Sequence, residues 1–335
     1  MKRVGDLIGR IAEMDNLRLA FYNASKSKQA KQEVVAFREH LDENLQKLSS
    51  QILSGDVSVG KYHKFKIFDP KERLICAASF DERVLHHAII NVCHPYFERN
   101  LIYDTYATRK GKGLYSALER AMYGANHCAY VAKLDVRKYF DSISHAVLSA
   151  KLRRIFKDKP LLAIFDKIIG SYEVSSASGL PIGNLTSQYF ANFYLSSVDH
   201  HLKEVERVPV YVRYMDDMLI FGDNISQLKE TVARLSHVVR EELKIEFKPP
   251  VYRCTDRLIE FCGYKVSRHL ILLSCRSKVR LRKKMSFYWR LLEEEGYWGQ
   301  AEYQRHIIPL TAFARHAYSK KYRMNLIKRQ ESEGL

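Results

Sequence analysis

The chain has 335 residues, 46% of them hydrophobic, with 55 Lys and Arg against 38 Asp and Glu and a formal net charge of +17. This is the composition of a globular protein with a well-buried core, long enough for two or three subdomains. No stretch approaches the roughly 18–20 apolar residues of a membrane span, and Met1-Lys-Arg-Val-Gly-Asp-Leu-Ile8 lacks the apolar run of a secretory signal. No membrane partner is expected, since no amphipathic basic helix stands out at either terminus, and a cytoplasmic protein is expected. Such an excess of positive charge repels itself, and it makes sense when the partner is an anionic polymer; nucleic acid is the expected partner.

Helical periodicity covers residues 1–55, with Leu7, Ile8, Ile11 and Met14, then Val34, Val35, Phe37, Leu41, Leu45, Leu48 and Ile52, around a basic loop Ala24–Lys31. Residues 61–76 alternate as a strand pair with Asp69-Pro70 as the turn. A helical pattern runs from Phe80 to Phe97, and Tyr106–Gly113 leads into another helix. Tyr130–Asp135 reads as a strand, and Val208–Phe221 as two short strands joined at Met215-Asp216. One helix of about 18 residues is expected before the latter, with Phe190, Phe193, Tyr194, Val198 and Leu202 on one face. A helix follows over 225–243, and Leu258–Leu273 returns to strand. After Ser274 the chain becomes helical and strongly basic, from Arg276, Lys278 and Arg280 to Lys328 and Arg329.

Cys76, Cys93, Cys128, Cys254, Cys262 and Cys275 form no C-x-x-C pair and are read as small buried hydrophobes. His86-His87 and His200-His201 are read as surface or packing residues. Gly111-Lys-Gly113 lacks the strand before it that a Walker loop needs, and contact with a nucleic-acid backbone stays open beside an ordinary turn.

Two adjacent aspartates at a hairpin tip are costly, because Asp is disfavoured in strands and like charges repel. If the strand ending at Asp135 lies beside that hairpin, Asp135 and Asp216 converge on one point. Hard oxygen donors so placed suit two Mg²⁺ ions with positions left for water and phosphate. Each signal has a bland alternative, a solvated turn or a helix N-cap; together they favour a metal-dependent site.

Tyr214-Met-Asp-Asp217 in an apolar hairpin resembles the signature of reverse transcriptases. Lys66–Ile75 is similar to their fingers hairpin, and Leu134-Asp-Val-Arg-Lys-Tyr-Phe140 to the first palm motif. Gly179-Leu-Pro-Ile-Gly-Asn-Leu-Thr-Ser-Gln188 resembles the nucleotide-binding motif, and Ile259-Glu-Phe-Cys-Gly-Tyr264 the primer-gripping strand pair. The resemblance implies an α+β right-hand polymerase fold, with an antiparallel palm sheet flanked by helices. It divides the chain into an N-terminal extension and fingers with part of the palm (1–130), a palm with inserted fingers helices (131–273), and a small basic helical thumb (274–335). It also implies roles. Asp135, Asp216 and Asp217 are catalytic and, with Val136, hold two Mg²⁺ ions, for which Mn²⁺ can substitute. Lys66, Arg73, Phe140, Ile182 and Gly183 meet the nucleotide, with Phe140 the gate against a 2′-hydroxyl; Gln188, Tyr214, Met215, Lys248, Gly263 and Tyr264 meet nucleic acid. Template RNA, a DNA or RNA primer and dNTPs are the implied partners.

Where most of the family carry Gln-Gly and then Ser-Pro, this chain has Ile182-Gly183 and Ser187-Gln188. The string resembles the reverse transcriptases of diversity-generating retroelements of bacteria and phages. Asp15–Ala20 with its lysine-rich loop fits that group, as does the lack of a maturase, endonuclease or RNase H extension. That likeness implies error-prone copying at template adenines for gene diversification, a pentameric accessory protein, and a bacterial cytoplasm. A retron, intron-derived or CRISPR-associated reverse transcriptase, and a non-catalytic RNA-binding maturase-like protein, remain the alternatives.

Overall fold

The structure is a computed structural model describing residues 3–68, 72–293 and 296–333, with the side chains of 329–333 excepted. The expected Asp69-Pro70 turn and the Arg329 side chain lie outside what is described.

In chain order the elements are α1 (Ile8–Ala12), α2 (Met14–Ser25), α3 (Gln32–Glu39), α4 (Leu41–Ser54), β1 (Tyr62–Phe68), β2 (Glu72–Ala78), α5 (Phe80–Glu98) and α6 (Leu114–His127). There follow β3 (Tyr130–Asp135), α7 (Tyr139–Ser142), α8 (His145–Ile155), α9 (Lys159–Gly170), α10 (Leu185–Tyr194) and α11 (Ser196–His200). A π-helical turn at His201–Val205 leads to β4 (Val210–Tyr214), β5 (Asp217–Gly222) and α12 (Ile225–Leu243). The chain closes with β6 (Val251–Cys254), β7 (Ile259–Phe261), β8 (Tyr264–Val266), β9 (Ile271–Leu273), α13 (Cys275–Glu293), α14 (Gln300–Arg315) and α15 (Lys320–Glu333).

These elements form two compact units that interleave along the chain. The first gathers Met1–Tyr103, Val136–Glu206 and Ala233–Lys248, and the second Asp104–Asp135, Arg207–Val232 and Pro249–Leu335. The mixture of helices with antiparallel sheets is the α+β class expected. Among the described residues no helix is long and apolar enough to cross a membrane.

The first unit is mainly helical. Asp158 caps α9 by accepting from Leu161 N, and its second oxygen accepts from Leu7 N at 2.6 Å, which ties the N-terminal helices to α9. The single long helix expected before β4 is broken. Leu195, with ψ near 1°, separates α10 from α11, although Phe190, Tyr194, Val198 and Leu202 all remain buried. Apolar periodicity reports the buried face but not a local kink in the backbone.

The second unit is built on a four-stranded antiparallel sheet in the order β4-β5-β3-β6. Val131, Leu219 and Phe221 on one face join Leu118, Ala121 and Ala125 of α6 in a core that also takes in Phe261, Tyr264 and Leu281. α6 packs so tightly there that a Cβ on Gly124 would lie 2.7 Å from the Phe221 ring. The other face buries Ala132, Leu134, Met218 and Ile220, so both faces are covered and the strands read as nearly continuous apolar runs. β7, β8 and β9 make a second, three-stranded sheet.

All six cysteines are free, but only Cys76, Cys93 and Cys128 are buried; Cys254 and Cys262 are half-buried and Cys275 is exposed, so the buried-hydrophobe reading holds for three. His86 is a buried packing histidine at 1% exposure.

Candidate active site

In the second unit the ladder pairs Asp135 of β3 directly with Asp217 of β5. Side chains of directly opposed residues share a face, so these two carboxylates project the same way. Asp216, the expected partner of Asp135, lies in the adjoining turn: Tyr214 pairs with Asp217, leaving Met215-Asp216 as a two-residue loop. Met215 has φ of 56° while Asp216 stays out of the positive region, the sign pattern of a tight II′ hairpin.

Sequence reading missed what holds this turn. Arg213, fully buried on β4, donates from Nη1 to Met215 O at 3.1 Å, while its main chain pairs with the Asp104–Tyr106 segment. A charge so deep in an apolar strand was a legible signal, because Arg is almost never fully buried without partners.

Lys133 lies two residues before Asp135 and hence on the same face. Its Nζ donates to Glu260 O at 2.7 Å and stands 3.4 Å from Asp217 Oδ1, an ion-pair distance. The other oxygen of Asp217 accepts from Cys262 N at 3.2 Å. Burial pushes the Asp217 carboxyl up to about 6, against the pull of Lys133 and the Cys262 amide, with Asp216 adding to the rise. Burial, then the Asp217 charge, holds the Cys262 thiol well above its ordinary range. Cys262-Gly263 is the β7–β8 turn, with φ of 49° and 84°, the two positive values of a I′ hairpin.

Asp217 Oδ1 is buried with no hydrogen bond, although the Lys133 charge is near. Such a hard, under-satisfied oxygen, on the sheet face that Asp217 shares with Asp135, suits a divalent cation. Among the described residues, however, no group of three His, Cys, Asp or Glu side chains is gathered closely enough to hold a metal. Beside Lys133 a groove of about 550 Å³ is lined by Arg253, Arg257, Lys265 and Arg276, with Glu260 the acid among them. Tyr214 is half-buried on β4. Tyr264, expected at nucleic acid, has no exposed surface: its hydroxyl donates to Phe313 O at 2.7 Å inside the core. An aromatic at a strand start fits either role, and only packing decides.

The remaining expected residues belong to the first unit. The β1–β2 register sets Lys66 opposite Leu74 and Arg73 opposite Ile67, so the two cations emerge from opposite faces of the hairpin. Lys66 pairs with Glu72 at 2.7 Å, both side chains being half exposed or more. Phe140 O accepts from Leu180 N at 2.8 Å, and Ile182 O accepts from Cys76 N at 2.8 Å. Phe140, Ile182, Gly183 and the base of the hairpin are thereby linked into one patch. Val136, buried, bridges Phe247 next to Lys248, while Gln188 is exposed on α10.

The model of the reverse transcriptase (RNA-dependent DNA polymerase) family matches residues 63–266, which hold the opposed aspartates, the turn and the nucleotide patch. The chain belongs to the reverse transcriptase family. It is 25% identical over 217 residues to the putative COX1/OXI3 intron 1 protein of Saccharomyces cerevisiae, covering 59% of this chain and 25% of that protein. It is 23% identical over 252 residues to the Escherichia coli protein YkfC, covering 68% and 62% respectively. The chain thus spans less than two thirds of the length of these relatives. Among solved structures it is similar to telomerase from Candida albicans, with a TM-score of 0.48 and 14% identity over 69% of this chain and 50% of that one.

Proposed function

We propose that this chain is an RNA-directed DNA polymerase that extends a DNA or RNA primer with dNTPs on an RNA template. The observation that carries this reading is the direct pairing of Asp135 with Asp217 beside the turn that bears Asp216. On this reading the chain follows the fingers, palm and thumb order of 1–130, 131–273 and 274–335. Asp135, Asp216 and Asp217, with Val136, would hold two Mg²⁺ ions, or Mn²⁺ in their place. When bound, these supply activation of the primer hydroxyl and neutralisation of the leaving diphosphate. Arg213 keeps the turn in shape, and the Cys262 amide orients Asp217. Phe140 lies in the patch that would meet the sugar, and Lys66 and Arg73 of the hairpin would meet the triphosphate.

The finer reading is a polymerase of a diversity-generating retroelement, error-prone at template adenines, working with a pentameric accessory protein in a bacterial cytoplasm. Ile182 supports it. An aliphatic side chain cannot offer the polar contact that glutamine would make to the nucleotide and template base, which lowers selectivity by up to about 1–3 kcal/mol. A second reading, an intron-associated reverse transcriptase, is favoured by the relative named as an intron protein.

The test is Mg²⁺-dependent primer extension on a template-repeat RNA with cDNA sequencing, using wild type, Asp216→Asn and Ile182→Gln. Extension abolished in Asp216→Asn, and adenine errors lowered in Ile182→Gln, are expected. Full activity in Asp216→Asn would refute the polymerase mechanism. An unchanged error spectrum in Ile182→Gln would remove the diversity-generating reading and leave the intron-type one.

A further inference from the structure

The β1–β2 hairpin carries both cations expected at the triphosphate, yet most of it stands free: every residue of β1 after Tyr62 is exposed. Its direction is therefore set at its base, as a lever's is at its pivot. On the edge of β2 not taken by β1, Cys76 N donates to Ile182 O at 2.8 Å. Two residues on, Ala78 N donates to Asn184 Oδ1 at 3.1 Å, a side chain where a strand would present a carbonyl.

Gly183 explains the exchange. Its φ of 122° turns the chain away from β2, and a Cβ there would lie 3.0 Å from Ile75 Cγ2 and 3.4 Å from Cys76 O. After that turn the next main-chain carbonyl is committed to α10, where Asn184 O accepts from Gln188 N. Asn184 has the extended backbone of an N-cap, but its side chain makes no capping bond to α10. The usual use of Asn at this position is set aside, which costs the helix an amide partner. Asn184 is 3% exposed, and its Nδ2 has no partner, so its hydrogen bonding consists of what its oxygen does for the hairpin.

We propose that Asn184 is a positioning residue for the incoming nucleotide: its amide oxygen stands in for a main-chain acceptor and latches the base of the Lys66–Arg73 hairpin to the Ile182-Gly183 segment. The inference rests on the polymerase reading and deepens it. The latch sets where the triphosphate-binding cations lie relative to the nucleotide patch, so its loss weakens nucleotide capture more than it slows chemistry.

Two substitutions separate this role from helix capping. Asn184→Ser keeps an oxygen able to cap α10, but one bond too short for Ala78. Asn184→Asp keeps the acceptor for Ala78 and places a carboxylate at a helix N-terminus, where it is tolerated. Primer extension on an RNA template gives KM for dNTP and kcat, and hydrogen exchange at the Ala78 amide reads the latch in the protein alone. In Asn184→Ser, KM is expected to rise roughly ten-fold with kcat within about two-fold, and Ala78 exchange to quicken by about the same factor as KM. Asn184→Asp is expected to restore both. Wild-type KM in Asn184→Ser, or equal losses in both variants together with a lowered Tm, would overturn the proposal. If the wild type extends no primer, the polymerase reading fails on its own. Unchanged Ala78 exchange in Asn184→Ser would overturn the latch independently.

Discussion

Lys133 and Asp217 form an ion pair on one face of the β4-β5-β3-β6 sheet, with Nζ 3.4 Å from Oδ1 and both side chains under a quarter exposed. Asp217 thus has a counter-charge before any metal arrives. Lys133→Met should lower stability by about 1–3 kcal/mol, because it leaves a half-buried carboxylate beside Asp216 without that charge. Added Mg²⁺ should shrink the loss. Urea unfolding with and without the cation measures both effects, and equal midpoints for variant and wild type would disprove the first.

Arg213 fixes the turn that carries Asp216 through its bond to Met215 O. Truncation to Ala empties one of the largest fully buried side-chain sites among the described residues and orphans that carbonyl. We expect a cost of about 3–5 kcal/mol. Arg213→Lys should retain part of the stability but lose most of the proposed polymerase activity, since a point charge cannot reproduce the guanidinium's directed bonds. Denaturation curves beside primer extension separate the two.

Glu82 and His86 are buried together on α5, with Oε1 3.5 Å from Nε2. Burial pushes Glu82 up to about 7 and His86 down to about 3. The folded Glu82 therefore holds its proton more tightly than the unfolded chain does, and its contribution to stability is present below about 4.5 and lost as pH rises through about 7. His86 runs the other way, losing stability as pH falls below about 6.5. Glu82→Gln keeps an acceptor for Gly60 N, which now reaches Oε2 at 3.0 Å. It should gain about 2–3 kcal/mol on wild type between pH 4.5 and 7.5. Parallel stability–pH curves for the two proteins would count against this.

Gly183→Ala adds a Cβ where φ is 122° and Ile75 is 3.0 Å away. The expected cost is about 1–3 kcal/mol, with a raised dNTP KM because the hairpin base must shift. A thermal melt and steady-state kinetics check it.

The groove beside Lys133 predicts a salt effect. Replacing both Arg253 and Arg257 with Gln should reduce the slope of log affinity for a primer–template against log salt by about 1–2, uniformly across sequences. Binding isotherms from 50 to 200 mM salt are the measurement, and an unchanged slope would place the phosphate contacts elsewhere.

The strands around Asp135 and Asp217, and the helices flanking them, were legible because short apolar runs and carboxylates at strand ends are local signals. So was the switch to a basic helical tail at Ser274, where α13 begins one residue later. The break at Leu195 and the burial of Tyr264 were not, since one turns on a single ψ and the other on packing partners far along the chain.

What the sequence by itself determined is the chemistry on offer: paired aspartates in an apolar hairpin, an ordered series of motifs, and a charge suited to a polyanion. Tertiary structure alone decided that Asp217 is the ladder partner of Asp135 while Asp216 sits in the turn, that Lys133 and Cys262 are neighbours of Asp217, and that Asn184 serves the hairpin rather than its own helix. The physical reason is register. A one-residue shift sends a side chain to the opposite face of a sheet, and register is set by hydrogen bonds between segments far apart in the chain.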